Sequence, residues 1–483
     1  MQLRAEGWVL AAEPVLAKQQ RKKFYPNDPY FSDQWHLLNG GQGGGAAGVD
    51  INVTNVWDRY RGSNVVIGIV DDGLQWSHPD LTGNCELALS WDFNGADPDP
   101  SPNVKTDPHG TCCAGVAAGC GGNGIGVSGA AMGARLAGLR LVAEPTTDVE
   151  EAAALSFSNA AIFVKSNSWG PEDDGRTLEG PGPLLQAAFS NAVASGRGGK
   201  GVIITWAGGN GLAVNDNANY DGYANSMYTI AVGAVSDQGL QASYSEPGAC
   251  LVVVAPSSSA GRPGISTTDL VGKNGYNSSG PTDYPNRDYT KTFGGTSAAT
   301  PLVAGVCALL LEANPELGWR DVQEILMRSA TQTDPADPDW CTNAAGFHFN
   351  HKYGAGLVNA EAAVALATNW VNLGPRQHIS MIQSNLALAI PDNDTNGVTV
   401  VFDCAGCRLR IEQVVVTVHI THSYRGDLAM TLTSAAGTRS RLTERHADPA
   451  DHYVGWPLMS VRHWGESAAG AWSVRIADVA AAD

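Results

Sequence analysis

The chain is poor in positive charge: 30 Lys and Arg stand against 48 Asp and Glu in 483 residues, a formal net charge of −18. Nucleic acid and anionic membrane surfaces are held by basic patches, so this balance excludes them as principal partners. No apolar run approaches the roughly 20 residues that span a bilayer. The opening stretch, MQLRAEGWVLAAEPVL, lacks a basic segment followed by a clean apolar one, so no signal peptide is legible. Charged residues make up only 16% and hydrophobic ones 43%, a composition that excludes a disordered chain. Cysteine is scarce and irregular, nine in number, without the paired CxxC motifs of a zinc ribbon. Cys404 and Cys407 form one isolated CxxC, readable as a local disulfide or as two free thiols. Glycine, at 57 residues, is abundant and implies many tight turns and close backbone approaches.

The length allows more than one hydrophobic core. Between about 28 and 365, apolar strand-like runs alternate with helical patterns. Val65–Val70, Gly201–Thr205 and Tyr228–Val235 are continuous apolar runs, as expected of strands buried on both faces of a parallel sheet. Leu184–Ala194 reads as an amphipathic helix and Thr300–Ala313 as one too apolar to be exposed. This alternation predicts an α/β domain with a doubly wound parallel sheet. Past residue 370 the pattern changes to short strand-like stretches, at Val400–Phe402, Gln413–Thr421, Leu428–Thr433 and Trp472–Ala477. The expected organisation is a tail at 1–23, an α/β domain at 24–370 and an all-β sandwich or jelly-roll-like domain at 371–483. Asn52, Asn277 and Asn393 open glycosylation sequons, compatible with secretion and expected by chance in a chain this long.

Three segments carry chemistry. The first strand ends in Asp71-Asp72-Gly73, at the carboxyl edge where open α/β sheets build their sites. Asp107-Pro108-His109-Gly110-Thr111 leads into small residues that suit a helix start, and Gly294-Gly295-Thr296-Ser297 runs into the apolar helix. A serine at a helix N-terminus after a glycine turn has an exposed Oγ in a positive field. Acyl transfer needs a nucleophile, a base, and a carboxylate that fixes the base's tautomer. Ser297, His109 and Asp71 supply the three, in the chain order Asp, His, Ser that subtilisin uses. Asn210, in Trp206-Ala-Gly-Gly-Asn210-Gly211, follows a strand and could donate to a tetrahedral oxyanion, a contact of about 3–4 kcal/mol. Singly, each is an ordinary cap or turn residue; together, in order and in these contexts, they indicate a hydrolytic site.

The chain resembles the kexin/furin-type proprotein convertases, subtilases with a C-terminal P domain. The resemblance rests on the doubled aspartate of Asp71-Asp72-Gly73, Ser168-Trp169-Gly170-Pro171-Glu172-Asp173-Asp174-Gly175, Asn219-Tyr-Asp221, Tyr244-Ser-Glu246 and Gly294-Gly-Thr-Ser297-Ala-Ala299. Thr421-His-Ser-Tyr-Arg425-Gly-Asp-Leu428 and Trp464-Gly-Glu466 extend it into the tail. It implies a calcium-dependent serine endopeptidase cleaving after paired basic residues, with Asp71, His109, Asn210 and Ser297 catalytic and Cys113 a free thiol. It places Asp173 and Asp221 in the S1 pocket for arginine, Asp72 against a basic P2 side chain, and Asp148, Glu151 and Glu179 at P4. The backbone of Ser168, Trp169, Gly170 and Pro171 would pair with the extended peptide.

Calcium ions would sit at Asp28, Asp80 and Asn123 with carbonyls near Cys120, Ile125 and Val127. Further ions would sit at Asp173, Asp216 and Glu246, and at Asp92, Asp97 and Asp99. Between 148 and 246 eleven acids face only four bases, Lys165, Arg176, Arg197 and Lys200, which accounts for −7 of the −18. A cleft lined by one sign attracts peptide of the other. The family's disulfide positions hold Gly126, Ala218 and Tyr289, leaving Cys250 without an obvious partner.

Gln20-Arg21-Lys22-Lys23 resembles the end of a propeptide, with self-cleavage expected after Lys23. The expected partners are a basic peptide or proprotein and a propeptide or chaperone, the expected state a monomer, and the expected location secretory or extracytoplasmic. The competing readings are a broad-specificity subtilase and, further off, an adhesion protein using Arg425-Gly426-Asp427.

Overall fold

The apolar runs become strands of one parallel sheet in the computed structural model, which describes residues 24–103, 105–278 and 282–481. The basic cluster at 21–23 lies outside the described residues. The strands are β1 (Val66–Asp71), β2 (Trp91–Asp92), β3 (Arg135–Arg140), β4 (Val164–Asn167), β5 (Ile203–Ala207), β6 (Ile230–Val235) and β7 (Leu251–Pro256). They are ordered β2-β3-β1-β4-β5-β6-β7. From β1 the chain passes outward to β2 and β3 on one side and then to β4 on the other, so the winding reverses beside β1, where such sheets bind ligands. The registers Val70↔Asn167 and Asn167↔Trp206 put the residues that follow β1, β4 and β5 on one edge.

Among the described residues six helices surround the sheet: α1 (His109–Ala118), α2 (Asp148–Ser156), α3 (Pro183–Gly199), α4 (Thr296–Ala313), α5 (Trp319–Ser329) and α6 (Ala360–Ala367). α4 packs against β4, β5, β6 and β7 and against α1, which buries it nearly all round and explains its unbroken apolar sequence. A ribbon of β8 (Ile265–Thr268) and β9 (Tyr289–Phe293) feeds α4, and β10 (Cys341–Thr342) pairs with β11 (His348–Phe349).

Beyond a stretch without helix or strand at 371–397, the remaining strands are β12 (Val398–Asp403), β13 (Val414–Ile420), β14 (Leu428–Thr433), β15 (Arg439–Thr443), β16 (Tyr453–Ser460) and β17 (Ala471–Asp478). They form antiparallel sheets, β12-β17-β14-β15 and β13-β16. Leu428, Met430, Leu432, Leu442, Leu458 and Trp472 belong to a second hydrophobic core. β15 and β16 carry no clear pattern in the sequence. The first is largely polar, and the second holds Pro457, which a strand paired on one side accommodates.

This all-β part grips the α/β part. Arg320 pairs with Glu412 (2.5 Å), and Arg410 pairs with Glu324 (2.6 Å), which also accepts from Trp464 Nε1 (3.2 Å). The loop Asn217–Asn225 is held from β15, β16 and their flanks. Asn219 Nδ2 donates to the Leu442 carbonyl (3.0 Å), Tyr220 Oη to that of Glu444 (2.9 Å), and the Met459 amide to Asn225 Oδ1 (2.8 Å).

Three expectations change here. Cys404 and Cys407 are disulfide-bonded, which settles the isolated CxxC. Asn277 is 3% exposed, and its Nδ2 donates to the carbonyls of Tyr284 and Tyr289, so this sequon cannot accept a glycan without unfolding. The Arg-Gly-Asp tripeptide is tied into the fold: Arg425 pairs with Asp448, and Gly426 lies where a Cβ would come 2.5 Å from the His446 carbonyl. That binding deprives the adhesion reading of an accessible motif.

Glu324 also accepts from Arg328 (2.7 Å), so Glu324→Ala leaves the guanidiniums of Arg328 and Arg410 and the Trp464 indole N–H without their shared acceptor. Thermal denaturation should report a loss of about 2–3 kcal/mol, and an unchanged melting temperature would contradict the lock.

Candidate active site

Asp71 closes β1, and His109 opens α1 beside it. Asp71 is 1% exposed, and its Oδ1 lies 2.8 Å from His109 Nδ1 while also accepting the Asp72 amide. Burial pulls the imidazole pKa down, but the Asp71 carboxylate and the neighbouring Cys113 outweigh it and hold His109 well above its ordinary value. Asp72 accepts the amides of His109 (3.0 Å) and Gly110 (2.7 Å), so it fixes the first turn of α1 and with it the imidazole. Burial and the adjacent Asp71 push the Asp72 carboxyl up to about 7. Gly110 is required: a Cβ there would stand 2.1 Å from the Gly73 carbonyl oxygen.

Ser297 is the second residue of α4, after Gly295 at φ 75°. That turn is pinned by two residues to which the sequence assigned no role. The Gly295 amide donates to Tyr244 Oη (3.0 Å), and Ser257 Oγ donates to the Gly295 carbonyl (2.7 Å). Ser297 Oγ donates to the Ser168 carbonyl (3.3 Å), and Ser168 Oγ returns a bond to the Ser297 carbonyl (3.1 Å). Cys113 is a free thiol whose Sγ lies 3.8 Å from His109 Nδ1. Asn210 Oδ1 accepts from Thr296 N (2.8 Å) and Oγ1 (3.0 Å), which leaves Nδ2 as the outward group. Asn210 Nδ2 and N both donate to Asp173 Oδ2, at 3.2 and 3.0 Å.

The cleft acids separate into three sets. Asp173, Asp216, Asp221 and Glu246 form one group, and none of them has an ion pair among the described residues. Burial, then neighbouring acids, pushes Asp221 up to about 8, and burial is also the largest cause lifting Asp216 to about 6 and Glu246 well above its ordinary range. Gly170 lets this group approach the strand edge: a Cβ there would lie 2.8 Å from Asp221 Oδ2. Glu151 and Glu179 line a cavity of about 230 Å³ with Trp169, Pro171 and Tyr223. Glu144 joins them there, unnoticed in the sequence because it stands alone in a loop before α2. Asp148, expected beside them, is turned away. Both its oxygens accept amides at the start of α3, from Leu184 and Leu185 at 2.9 Å each, so it serves as a helix cap. Asp72 accepts one amide of α1 on each oxygen, which leaves acceptor capacity on both.

Residues 62–356 match the Subtilase family model, well over half of the chain. The chain belongs to the subtilase family. Residues 411–483 match the proprotein convertase P-domain. The subtilase is 39% identical over 481 residues to a PC3-like endoprotease, variant B, of Hydra vulgaris, covering 97% of this chain and 66% of that one. It is 38% identical to Furin-1 of Xenopus laevis, covering 99% and 60%, and 38% identical to human proprotein convertase subtilisin/kexin type 5, covering 94% and 24%. The chain thus spans from about a quarter to about two thirds of the length of these curated relatives. A solved serine protease of Aeromonas sobria superposes with a TM-score of 0.86 at 27% identity, covering 98% of this chain and 93% of that one. The same bacterium's serine protease in complex with a chaperone gives 0.85 at 28%, covering 94% and 89%.

Subtilases of this kind implied calcium, and the three expected sites fit it unequally. Asp28 and Asp80 are buried together. Asp28 accepts the amides of Gly122, Asn123 and Gly124, and Asp80 accepts from Asn123 Nδ2 (2.7 Å) and the Val127 amide. Burial lifts Asp80 to about 7. The carbonyls of Cys120, Ile125 and Val127 accept no hydrogen bond among the described residues, so oxygen donors remain for a hard cation. Asp173, Asp216 and Glu246 fit by charge, having no ion pair among the described residues. They are grouped loosely, since the one set of three acidic, histidine or cysteine ligand atoms within 4.8 Å among the described residues is Asp71, His109 and Cys113. The third site fits poorly: Asp92 is already paired with Arg140 at 2.8 Å, and Asp97 and Asp99 are exposed and serve their own turns.

An active-site-directed diphenyl phosphonate should label Ser297. His109→Ala should slow that labelling by at least about a hundredfold at an unchanged melting temperature, read by intact mass. Equal labelling rates would dissociate His109 from the serine.

Proposed function

We propose that this subtilase is a calcium-binding serine endopeptidase of the convertase type that hydrolyses peptide bonds after paired basic residues. One observation carries the reading: the buried Asp216 and Glu246, with Asp221 and the exposed Asp173 beside them, form an acidic group that has no ion pair among the described residues. Such a group is costly unless a cation completes it, and an arginine at P1 is a cation of suitable, bidentate geometry. Calcium, when bound, would supply the remaining positive charge and keep these acids ionised for that arginine.

In the reaction, Ser297 Oγ turns from the Ser168 carbonyl towards His109 Nε2, gives up its proton there and attacks the scissile carbonyl carbon. Asp71 Oδ1 keeps the other ring proton on Nδ1 and stabilises the imidazolium. The oxyanion takes a hydrogen bond from Asn210 Nδ2. Because that amide rests on Asp173, a P1 guanidinium that draws Asp173 to itself frees the donor as the substrate seats. His109 then protonates the departing amine, water replaces it, and the acyl-enzyme is hydrolysed by the same base. The backbone from Ser168 to Pro171 would hold the peptide extended, and Glu144, Glu151 and Glu179 would favour a basic P4. The Cys404–Cys407 disulfide supports an oxidising, extracytoplasmic setting.

Fluorogenic peptides ending in Lys-Arg should be cleaved at least about a hundredfold more efficiently than those ending in Phe. Asp221→Asn should erode that ratio mainly through KM. Comparable rates on both peptides would favour a broad-specificity subtilase instead.

The raised acids set a pH dependence. A carboxyl whose folded pKa exceeds its unfolded value binds more protons when folded, so it lowers stability as pH rises from about 4 to about 8. With a chelator present, the melting temperature should therefore fall between pH 5 and 8. Added calcium should restore more of it at pH 8 than at pH 5, and a chelated profile that rises with pH would refute the account.

A further inference from the structure

Of the four bases in the acidic span, Lys165 does not face the acids at all. It sits on β4 between Gly68 of β1 and Ile204 of β5 and is 0% exposed. Its Nζ donates to three backbone carbonyls, of Ala154 (2.9 Å), Leu155 (2.7 Å) and Phe157 (3.0 Å). These are the last carbonyls of α2, which has no glycine cap: Phe157 ends it in extended backbone, and Ser158 follows at φ 48°. The Leu155 carbonyl is shared with Asn159 Nδ2 (3.1 Å). An ammonium has three N–H donors for three acceptors and carries the charge favoured at a helix C-terminus. Burial pulls its pKa well below the ordinary value, while only the protonated form has a donor for each of the three carbonyls.

α2 carries Glu151, one turn before those carbonyls. Glu151 is 7% exposed and bonded to Thr146 Oγ1 (2.7 Å) and Tyr223 Oη (3.2 Å), in the cavity it shares with Glu144 and Glu179. Carboxylates gathered in one cavity repel, so the helix that bears one of them must be anchored independently of them. Its N-terminus is held by the Thr147–Glu150 capping box and its C-terminus by Lys165.

We infer that Lys165 is a positioning residue for the acidic cavity that would read P4: it locks the end of α2 to the sheet and so holds Glu151 against Glu179 and Tyr223. This rests on the convertase reading of the cleft. The experiment compares wild type, Lys165→Met and Lys165→Gln on peptides ending Arg-X-Lys-Arg and Ala-X-Lys-Arg. Deuterium uptake over 148–157 is followed in the same proteins.

Lys165→Met should lower the preference for P4 Arg over P4 Ala about tenfold. The change should lie in KM, with kcat on the P4-Ala peptide within about twofold and uptake in α2 increased. Lys165→Gln, which keeps two N–H donors, should fall between, and it carries the test if Lys165→Met does not fold. A role in stability alone would lower the melting temperature and leave the P4 ratio unmoved, which would overturn the inference, as would unchanged uptake over 148–157. A wild-type enzyme that ignores P4 while cleaving after Lys-Arg would overturn the link to selectivity and leave the paired-basic reading standing. One that ignores Lys-Arg as well would overturn that reading itself.

Discussion

Asp216, Asp221 and Glu246, with the exposed Asp173 beside them, have no ion pair among the described residues, and their mutual repulsion is the constraint most of the surrounding structure answers to. Burial, with neighbouring charge of the same sign, raises the pKa of Asp216, Asp221 and Glu246 and destabilises the fold unless something opposes it. The opposition here is largely backbone. Amides of Gly175, Asn217, Gly211, Tyr223 and Ala224 point at these carboxylates. The all-β part adds a mechanical restraint by bonding Asn219, Tyr220 and Asn225 on either side of Asp221. A cation from outside, metal or substrate arginine, would complete the balance. The destabilisation and the selectivity are on this account the same electrostatic fact.

The bases within the acidic span are disposed to preserve that imbalance. Lys165 and Arg197 are both buried and both spend their donors on backbone carbonyls: Lys165 on the end of α2, Arg197 on Gly201, Leu317 and Pro315. Lys200 pairs with Glu316 at the far end of α3. None forms an ion pair with a cleft acid among the described residues. The same economy holds at the nucleophile, where Tyr244, Ser257 and Thr296 fix the glycine turn and the Asn210 amide through hydrogen bonds to backbone and amide oxygen. Preorganisation of this kind needs no reorientation of the donors when charge develops.

Parts of this were legible in the chain and parts were not, for identifiable reasons. β1, β5 and β6 announce themselves because strands buried on both faces must be apolar throughout. α2 and β4 do not, since α2 is short and mixed and β4 hides a lysine in its middle. Asp148 is absent from the cavity expected for it and Glu144 lines it instead, for a reason no spacing rule contains: Asp148 accepts the free amides at the start of α3, a segment remote from it in the chain. The sequon at Asn277 is invisible as a false one until its amide is seen bridging two carbonyls in the interior.

By itself the sequence determined the order of elements, the apolar strands of a parallel sheet, the change to an all-β pattern past residue 370, and the residue types at the ends of β1 and at the starts of α1 and α4. Those follow from local periodicity and from glycine, serine and aspartate placed where backbone geometry demands them. Only the tertiary structure decided which acids face the cleft, which cap helices and which are paired with arginine, because that depends on distances between segments far apart in the chain. The −18 is a property of composition; where it acts is a property of the fold.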